Sequence, residues 1–431
     1  MTIAGNSGSK GLGSRGVQTM AVMACLYFVF GLVSWMNAVL IPYFKVACDL
    51  HTEAQSYLVT FAFNIAYLLI AIPASVFLDH VGYRRGASAG LGLLSFGALL
   101  FWPAALLRSY FLFLVALFLM GMALAILQTL ANPLVVTIGP RDSAARRISI
   151  VGICNKLAGI LSPLLIAKLI IRPQDRQTMA SIDSGILSGV AKEQALDQMV
   201  RGVIVPYVIL ALVLLLLGIL FYYSPIPDNG NLDDDVPKEG DTCRKSVLSY
   251  PYLVLGAIAM FCHLGAIQVS VSTLASYSME FGRDLISARI FPSLSLACVL
   301  IGYCCGIIMI PRAISQATAL KVCSSLGMFL SVLVLFLPPM ASVVCLVLLG
   351  LPNSLIYAGI WPLAIRNLGK WKNLGSAILV MSFCGNAVLP LIYGSIADVI
   401  GKQLAYIILI PCFLYLIYYA FKGHRVESWK Q

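Results

Sequence analysis

Residues Gly121–Gly159 read GMALAILQTLANPLVVTIGPRDSAARRISIVGICNKLAG, two apolar runs joined by a short basic loop. The runs have the length and composition of membrane helices, so the pattern predicts two spans with a tight connection. Four polar side chains nevertheless lie within them: Gln128, Asn132, Asn155 and Lys156. Polar and ionisable groups inside a membrane helix are costly and usually face a cavity or a pathway. The stretch therefore predicts a polytopic membrane protein with a polar interior.

The composition of the whole chain agrees with a membrane protein. Of its 431 residues, 60% are hydrophobic and only 11% are charged, which is too apolar for a soluble domain. The net charge of +11 comes from basic residues in short loops, where they set topology, so we expect no nucleic-acid partner. The twelve cysteines show no CxxC spacing, and we expect neither a metal site nor a cofactor.

Twelve apolar stretches are long enough to cross a bilayer, in two groups of six. They lie near residues 17–44, 54–78, 87–107, 110–138, 148–171, 202–224, 250–279, 288–310, 317–338, 340–365, 374–397 and 403–421. We therefore predict an all-α membrane protein with twelve transmembrane helices in two six-helix halves, residues 1–224 and 250–431. A cytoplasmic linker, 225–249, joins them, because this segment is polar and contains proline, glycine and an acidic run.

Basic residues in the short loops set the orientation. With the N-terminus inside, Arg84, Arg85, Arg146 and Arg147 lie in the cytoplasm, whereas short outer loops keep scattered charges such as Arg108. Short cytoplasmic loops are enriched in arginine and lysine. We therefore predict that both termini are cytoplasmic and that the chain resides in a bacterial inner membrane.

The loop after the second predicted helix, Pro73–Gly86, reads PASVFLDHVGYRRG. Topology alone would explain its arginines. The loop also resembles the cytoplasmic loop signature of the major facilitator superfamily, although Ser75 and Tyr83 depart from it. That resemblance implies that Asp79, Arg84 and Arg85 take part in gating.

Ionisable residues are scarce at membrane depth. All eighteen Asp and Glu fall in predicted loops or at helix ends, which leaves Lys156 and His263. Proton-coupled transporters generally need a buried carboxylate or histidine, and an enzyme would need a nucleophile–base cluster. The pattern favours transport over catalysis. Lys156 is then either a structural cation bonded to carbonyls and amides or the functional charge of the cavity. For His263 we favour packing between helices over a role in the transport pathway.

Neutral amides dominate the remaining polar residues of the spans. Several share a helical face with another polar side chain, as Gln128 does with Asn132 four residues later. Amides offer donors and an acceptor to sugar hydroxyls, and an indole can cover the apolar face of a sugar ring. The alternative for each amide is a hydrogen bond between helices. The predicted substrate contacts are Asn37, Gln128, Asn132, Asn155, Lys156, Gln268, Asn353, Trp361 and Asn386.

Several longer blocks are similar to the fucose/glucose–galactose permease family of sugar transporters within the major facilitator superfamily. They include Asn37–Phe44 (NAVLIPYF), Gln128–Pro140 (QTLANPLVVTIGP), Tyr250–Gly265 (YPYLVLGAIAMFCHLG) and Leu349–Leu368 (LGLPNSLIYAGIWPLAIRNL). The resemblance implies proton- or sodium-driven uptake of a hexose or deoxyhexose by alternating access, and a monomer in the lipid bilayer.

The chain departs from that family at its coupling positions. Proton-coupled members carry an aspartate where this chain has Ala38, and a glutamate of the fourth helix corresponds to Gln128. The seventh-helix glutamate corresponds to Ile267 or Gln268, and Lys156 replaces a small residue.

These departures favour a permease for a neutral hexose or deoxyhexose without carboxylate-based proton coupling. One alternative is a carrier of amino sugars or acidic sugars, with Lys156 as the substrate or coupling charge. Another is a transport-inactive nutrient sensor. Whether a proton or a sodium ion is transported with the substrate stays an open question at this point.

Overall fold

The computed structural model describes residues 14–47, 53–139, 143–169, 189–224, 246–279, 281, 290–310 and 313–429. Helices account for nearly all of this part of the chain, and it contains no strand. In chain order the long helices are α1 (Ser14–Ala47), α2 (Glu53–Val81), α3 (Tyr83–Leu106), α4 (Tyr110–Thr137), α5 (Ala144–Leu169), α6 (Val190–Tyr222), α7 (Pro251–Met279), α8 (Ile290–Met309), α9 (Gln316–Phe336), α10 (Pro339–Ala364), α11 (Lys372–Ile400) and α12 (Lys402–Arg425).

Eleven of the described helices are long and apolar enough to cross a membrane. The remaining one is α5, whose described part carries Arg146, Arg147 and Lys156 and is therefore less hydrophobic. Large apolar side chains such as Leu216 and Phe329 lie exposed on the outer surface, as expected of helices that face lipid. The predicted all-α membrane fold with twelve transmembrane helices is confirmed.

One helix begins well before its predicted span. The sixth apolar stretch starts at residue 202, but α6 begins at Val190, and Gly202 and Val203 interrupt it as a turn. Its first segment is polar and amphipathic. Arg108, in the loop between α3 and α4, forms ion pairs with Glu193 and Asp197 and so ties this segment to the bundle.

Helix packing places a space between α1–α6 and α7–α12. Among the first six helices α1 packs on α5, α2 on α4, and α3 on α4 and α6; among the last six α10 packs on α7, α8 and α9. The two groups meet where α2 and α4 contact α11, and where α5 contacts α8 and α10. Gly31 faces the backbone carbonyl of Asn155 so closely that a side chain there would overlap it. This approach of α1 to α5 positions the segment that carries Asn155 and Lys156.

Some predicted features lie outside the described residues. Of the linker predicted at 225–249, only residues 246–249 are described, and Val247–Ser249 form a 3-10 turn. The backbone of Asn37 is helical, but its side chain is outside the described part.

Candidate functional site

A central cavity lies between the two groups of helices. Its lining comes from α1, α2, α4 and α5 on one side and from α7, α8, α10 and α11 on the other, and it holds about 1120 Å³ of space including its mouth. The polar and aromatic residues of the lining are Tyr27, Phe30, Ser34, Trp35, Thr60, Phe63, Asn64, Tyr67, Gln128, Asn155, Lys156, His263, Gln268, Tyr303, Asn353, Tyr357, Phe383 and Asn386. None of the described lining residues is Asp or Glu. The cavity therefore offers amides, hydroxyls and aromatic faces, together with one lysine.

Two predicted residues of the first six helices line the cavity and are held by hydrogen bonds. Gln128 donates from Nε2 to the Tyr67 hydroxyl at 3.0 Å. Asn155 donates from Nδ2 to the backbone carbonyl of Tyr27 at 3.1 Å, which orients its amide from α5 toward α1. A carboxamide has two donor hydrogens and an acceptor oxygen, so each side chain keeps hydrogen-bonding capacity for a ligand.

The second six helices contribute the predicted residues Gln268, Asn353 and Asn386 to the same lining. Asn353 is 1% exposed, and neither its amide nitrogen nor its oxygen has a partner in the described part of the chain. A buried polar group without a partner is destabilising, and a ligand hydroxyl could supply one. Asn386 reaches across the cavity, since its Nδ2 donates to Asn64 Oδ1 at 3.5 Å.

Lys156 lines the cavity beside Trp35. Its Nζ lies 4.8 Å from the centre of the indole ring, within the range of a cation–π interaction. Gly159, one turn further along α5, makes room for that ring, because a Cβ there would lie 2.6 Å from Trp35 Cδ1. Within the described residues Lys156 has no carboxylate partner. The amine of Lys156 therefore faces the cavity with an indole ring as its neighbour.

Two predicted substrate contacts do not belong to the lining. Asn132 is 2% exposed beside the cavity, and its Oδ1 accepts hydrogen bonds from the hydroxyls of Tyr27 and Tyr357. Trp361 is fully buried behind Tyr357, with 5.7 Å between the ring centres. A direct substrate role for Asn132 and Trp361 stays a prediction, as it does for Asn37.

The structure adds lining residues that we did not predict as contacts. On α2 the spacings of four and three place Thr60, Asn64 and Tyr67 on one side of the helix, so the sequence already indicated a polar face there. Tyr303 and Phe383 also line the cavity. Nothing in the sequence distinguishes these two from packing aromatics.

The predicted loop Pro73–Gly86 is largely helical, because α2 continues to Val81 and α3 begins at Tyr83. The tight α2–α3 loop, here residues 79–83 around Gly82, contacts α11 at one end of the bundle. Asn373, near the start of α11, donates to Asp79 Oδ1 at 2.7 Å and accepts a hydrogen bond from the Tyr83 hydroxyl at 2.8 Å. Arg84 lies 6.0 Å from the ring centre of Tyr222, and the side chain of Arg85 is exposed. Asp79, one of the predicted gating residues, therefore joins the two groups of helices at this end.

Comparison with known proteins gives consistent matches over nearly the full length. Residues 23–391 match the Major Facilitator Superfamily. The chain is 32% identical over 414 residues to the glucose/galactose transporter of Brucella abortus biovar 1 (strain 9-941), covering 94% of this chain and 93% of that protein. It is 27% identical over 412 residues to the L-fucose-proton symporter of Escherichia coli (strain K12), covering 95% and 93%.

A solved structure also resembles the fold. The crystal structure of the Major Facilitator Superfamily transporter FucP in the outward conformation aligns with a TM-score of 0.78 and 27% identity. The alignment covers 94% of this chain and 98% of that one. The expected resemblance to the fucose/glucose–galactose permeases is confirmed.

Proposed function

Because this chain belongs to the major facilitator superfamily and is a multi-pass membrane transporter rather than an enzyme, we propose that it moves a sugar by alternating access. The proposed substrate is a neutral hexose or deoxyhexose. The proposed transport does not use a carboxylate to couple sugar movement to protons.

The chemistry of the cavity lining carries this proposal. Amides converge on the cavity from both groups of helices, and Asn353 presents a carboxamide with no partner in the described residues. Sugar hydroxyls both donate and accept, so they match amides better than charged groups do. Tyr357 and Phe383 offer aromatic faces for the apolar side of the ring. The names of the two relatives, a glucose/galactose transporter and an L-fucose-proton symporter, support the same substrate class.

The lack of an acidic group in the described lining supports transport without carboxylate-based coupling. Proton-coupled carriers generally bind the proton at a buried carboxylate or histidine, and of these the described lining offers only His263. Here Gln128 lies in the lining where a carboxylate would be needed, and Lys156 adds an amine to the same lining. An amino sugar would bring a second positive charge to this cavity, which disfavours that alternative.

We further propose that residues 1–224 and 250–431 act as two halves that rock about the cavity, joined by the linker 225–249. The contact of Asp79 with Asn373 would then break when the loop side opens, and that of Asn132 with Tyr357 would break with it. This scheme places both termini in the cytoplasm of a bacterium and the chain, as a monomer, in the inner membrane.

Counterflow in proteoliposomes tests the proposal. Vesicles loaded with one unlabelled sugar are exposed to trace radiolabelled glucose, galactose or fucose, and we expect exchange of at least one hexose. Proton and sodium gradients are then imposed separately, and we expect no uphill accumulation. Accumulation with either gradient would show that another site carries a co-ion. If no sugar exchanges, the sugar assignment is wrong, and anionic solutes that could pair with Lys156 are the next substrates to test.

A further inference from the structure

We propose that the Lys156 end of the cavity binds one small anionic group during transport. The group is either a free monovalent anion that accompanies a neutral sugar or the carboxylate of an acidic sugar. This inference rests on the proposed transport function and names a second ligand chemistry for the same site.

The geometry around Lys156 carries the inference. Its ammonium group lies at the cavity wall with Trp35 on one side, and no described residue offers it a carboxylate. An ammonium at membrane depth loses most of its hydration, and an indole face compensates for only part of that loss. An anion that enters with the sugar would supply the missing counter-charge.

His263 gives a second, independent observation. It lines the same cavity from α7, is 1% exposed, and its Nδ1 has no partner in the described part of the chain. Gln268, five residues along α7, adds an amide that also faces the cavity. These groups can donate hydrogen bonds to an anion, whereas a cation would find no acidic ligand among the described lining residues.

A matched lysine makes the test specific. Lys321 lies over the ring of Phe421, with Nζ 5.1 Å from the ring centre, and is not part of the cavity lining. Lys156→Gln and Lys321→Gln each remove one lysine that faces an aromatic ring. Only the first removes the proposed anion partner.

The experiment measures chloride and glucuronate effects on the full-length protein. Binding is followed by the intrinsic tryptophan fluorescence of detergent-purified protein at constant ionic strength, with a bulky sulfonate as the replacement anion. In proteoliposomes, glucose counterflow is measured with and without chloride and with glucuronate as a competitor. A chloride requirement identifies a free anion, and competition by glucuronate stronger than that by unlabelled glucose identifies an acidic sugar.

We expect saturable binding of chloride or glucuronate that is at least about tenfold weaker in Lys156→Gln and unchanged in Lys321→Gln. Equal binding in wild type and Lys156→Gln, or no saturable binding in wild type, would overturn the inference. If Lys156→Gln does not fold, Lys156→Arg keeps the charge, and loss of anion binding in that folded variant would also overturn it.

Sugar counterflow that persists without any anion effect would refute this inference alone. Anion binding at Lys156 without sugar counterflow would instead refute the proposed sugar transport.

Discussion

The hydroxyl of Tyr357 on α10 donates a hydrogen bond to Asn132 Oδ1 on α4 at 3.1 Å, directly beside the central cavity. Tyr27 of α1 donates to the same oxygen. One buried amide thus joins the first six helices to the last six, and both tyrosines also line the cavity. A ligand that competes for either hydroxyl would weaken this connection, so we expect the contact to link occupancy of the cavity to the separation of the two groups.

Tyr357→Phe should shift the conformational equilibrium toward the state in which the two groups separate at this contact. Loss of one hydrogen bond changes the free energy by about 0.5–1.5 kcal/mol, a roughly two- to tenfold change in the ratio of states. Spin-label distances between the α2–α3 loop and the start of α11 measure that ratio. Tyr303→Phe is the control, because Tyr303 lines the cavity and no hydrogen bond of its hydroxyl is found within the described residues. An equal response of the two variants would remove the contact from the gating scheme.

Asn373→Ala should loosen the end of the bundle where the α2–α3 loop meets α11. It removes the hydrogen bonds to both Asp79 and Tyr83, whereas Tyr83→Phe removes only the second. We expect faster hydrogen–deuterium exchange in the first turns of α3 and α11, with a smaller effect in Tyr83→Phe. Arg85→Gln, at an exposed side chain, should change little. Wild-type exchange rates in Asn373→Ala would show that this loop does not hold the two groups together.

Asn353→Leu should weaken sugar binding while stabilising the empty protein. The buried amide of Asn353 has no partner in the described part of the chain, so replacing it removes a polar group that costs about 1–3 kcal/mol when unpaired. We expect a half-saturating sugar concentration at least about tenfold higher in counterflow, and a higher melting temperature without sugar. Ser354→Ala serves as the neighbouring control, since Ser354 is buried outside the lining and bonds to the Leu351 carbonyl at 2.7 Å. Unaltered sugar affinity in Asn353→Leu would exclude Asn353 as a contact.

Gly159→Ala should disturb the Trp35–Lys156 pair without unfolding the helix. The added Cβ would lie 2.6 Å from Trp35 Cδ1 and force the indole to move. We expect a severalfold loss of transport rate and destabilisation of about 1–3 kcal/mol, as in other overpacked sites. Gly92→Ala is the matched control, because a Cβ added there would meet nothing within 4 Å, and it should be neutral or stabilising by up to about 1 kcal/mol. Transport and thermal unfolding of both variants are compared, and equal behaviour would argue against a tight fit at Trp35.

Much of the cavity was predictable from the sequence because polar residues at membrane depth have few stable positions. Gln128, Asn155, Lys156, Gln268, Asn353 and Asn386 were all predicted as contacts and all lie in the lining. Lipid excludes unpaired polar groups, so such side chains turn toward a cavity or a neighbouring helix. The spacing of these residues along the chain does not indicate which of the two environments each side chain occupies.

Asn132 illustrates that limit. It lies four residues after Gln128 and on the same face of α4, yet Gln128 lines the cavity whereas Asn132 is enclosed by two tyrosines from other helices. Trp361 lies four residues after Tyr357 on α10, yet Tyr357 lines the cavity whereas Trp361 is buried behind it. The helical repeat sets the direction in which a side chain points. How far the cavity extends along the helix depends on the neighbouring helices.

The sequence by itself determined the membrane-spanning helices and the chemical character of the interior, because backbone groups in lipid must pair within each helix and a span needs about 20 mostly apolar residues. Its longer blocks also identified the family. Only the tertiary structure decided which polar residues of the two groups meet, as Asn386 meets Asn64 at the cavity and Asn373 meets Asp79 at the end of the bundle. Those pairs are separated by hundreds of residues along the chain. They depend on how closely helices approach, which is set by contacts such as that of Gly31 with Asn155 and not by any local pattern.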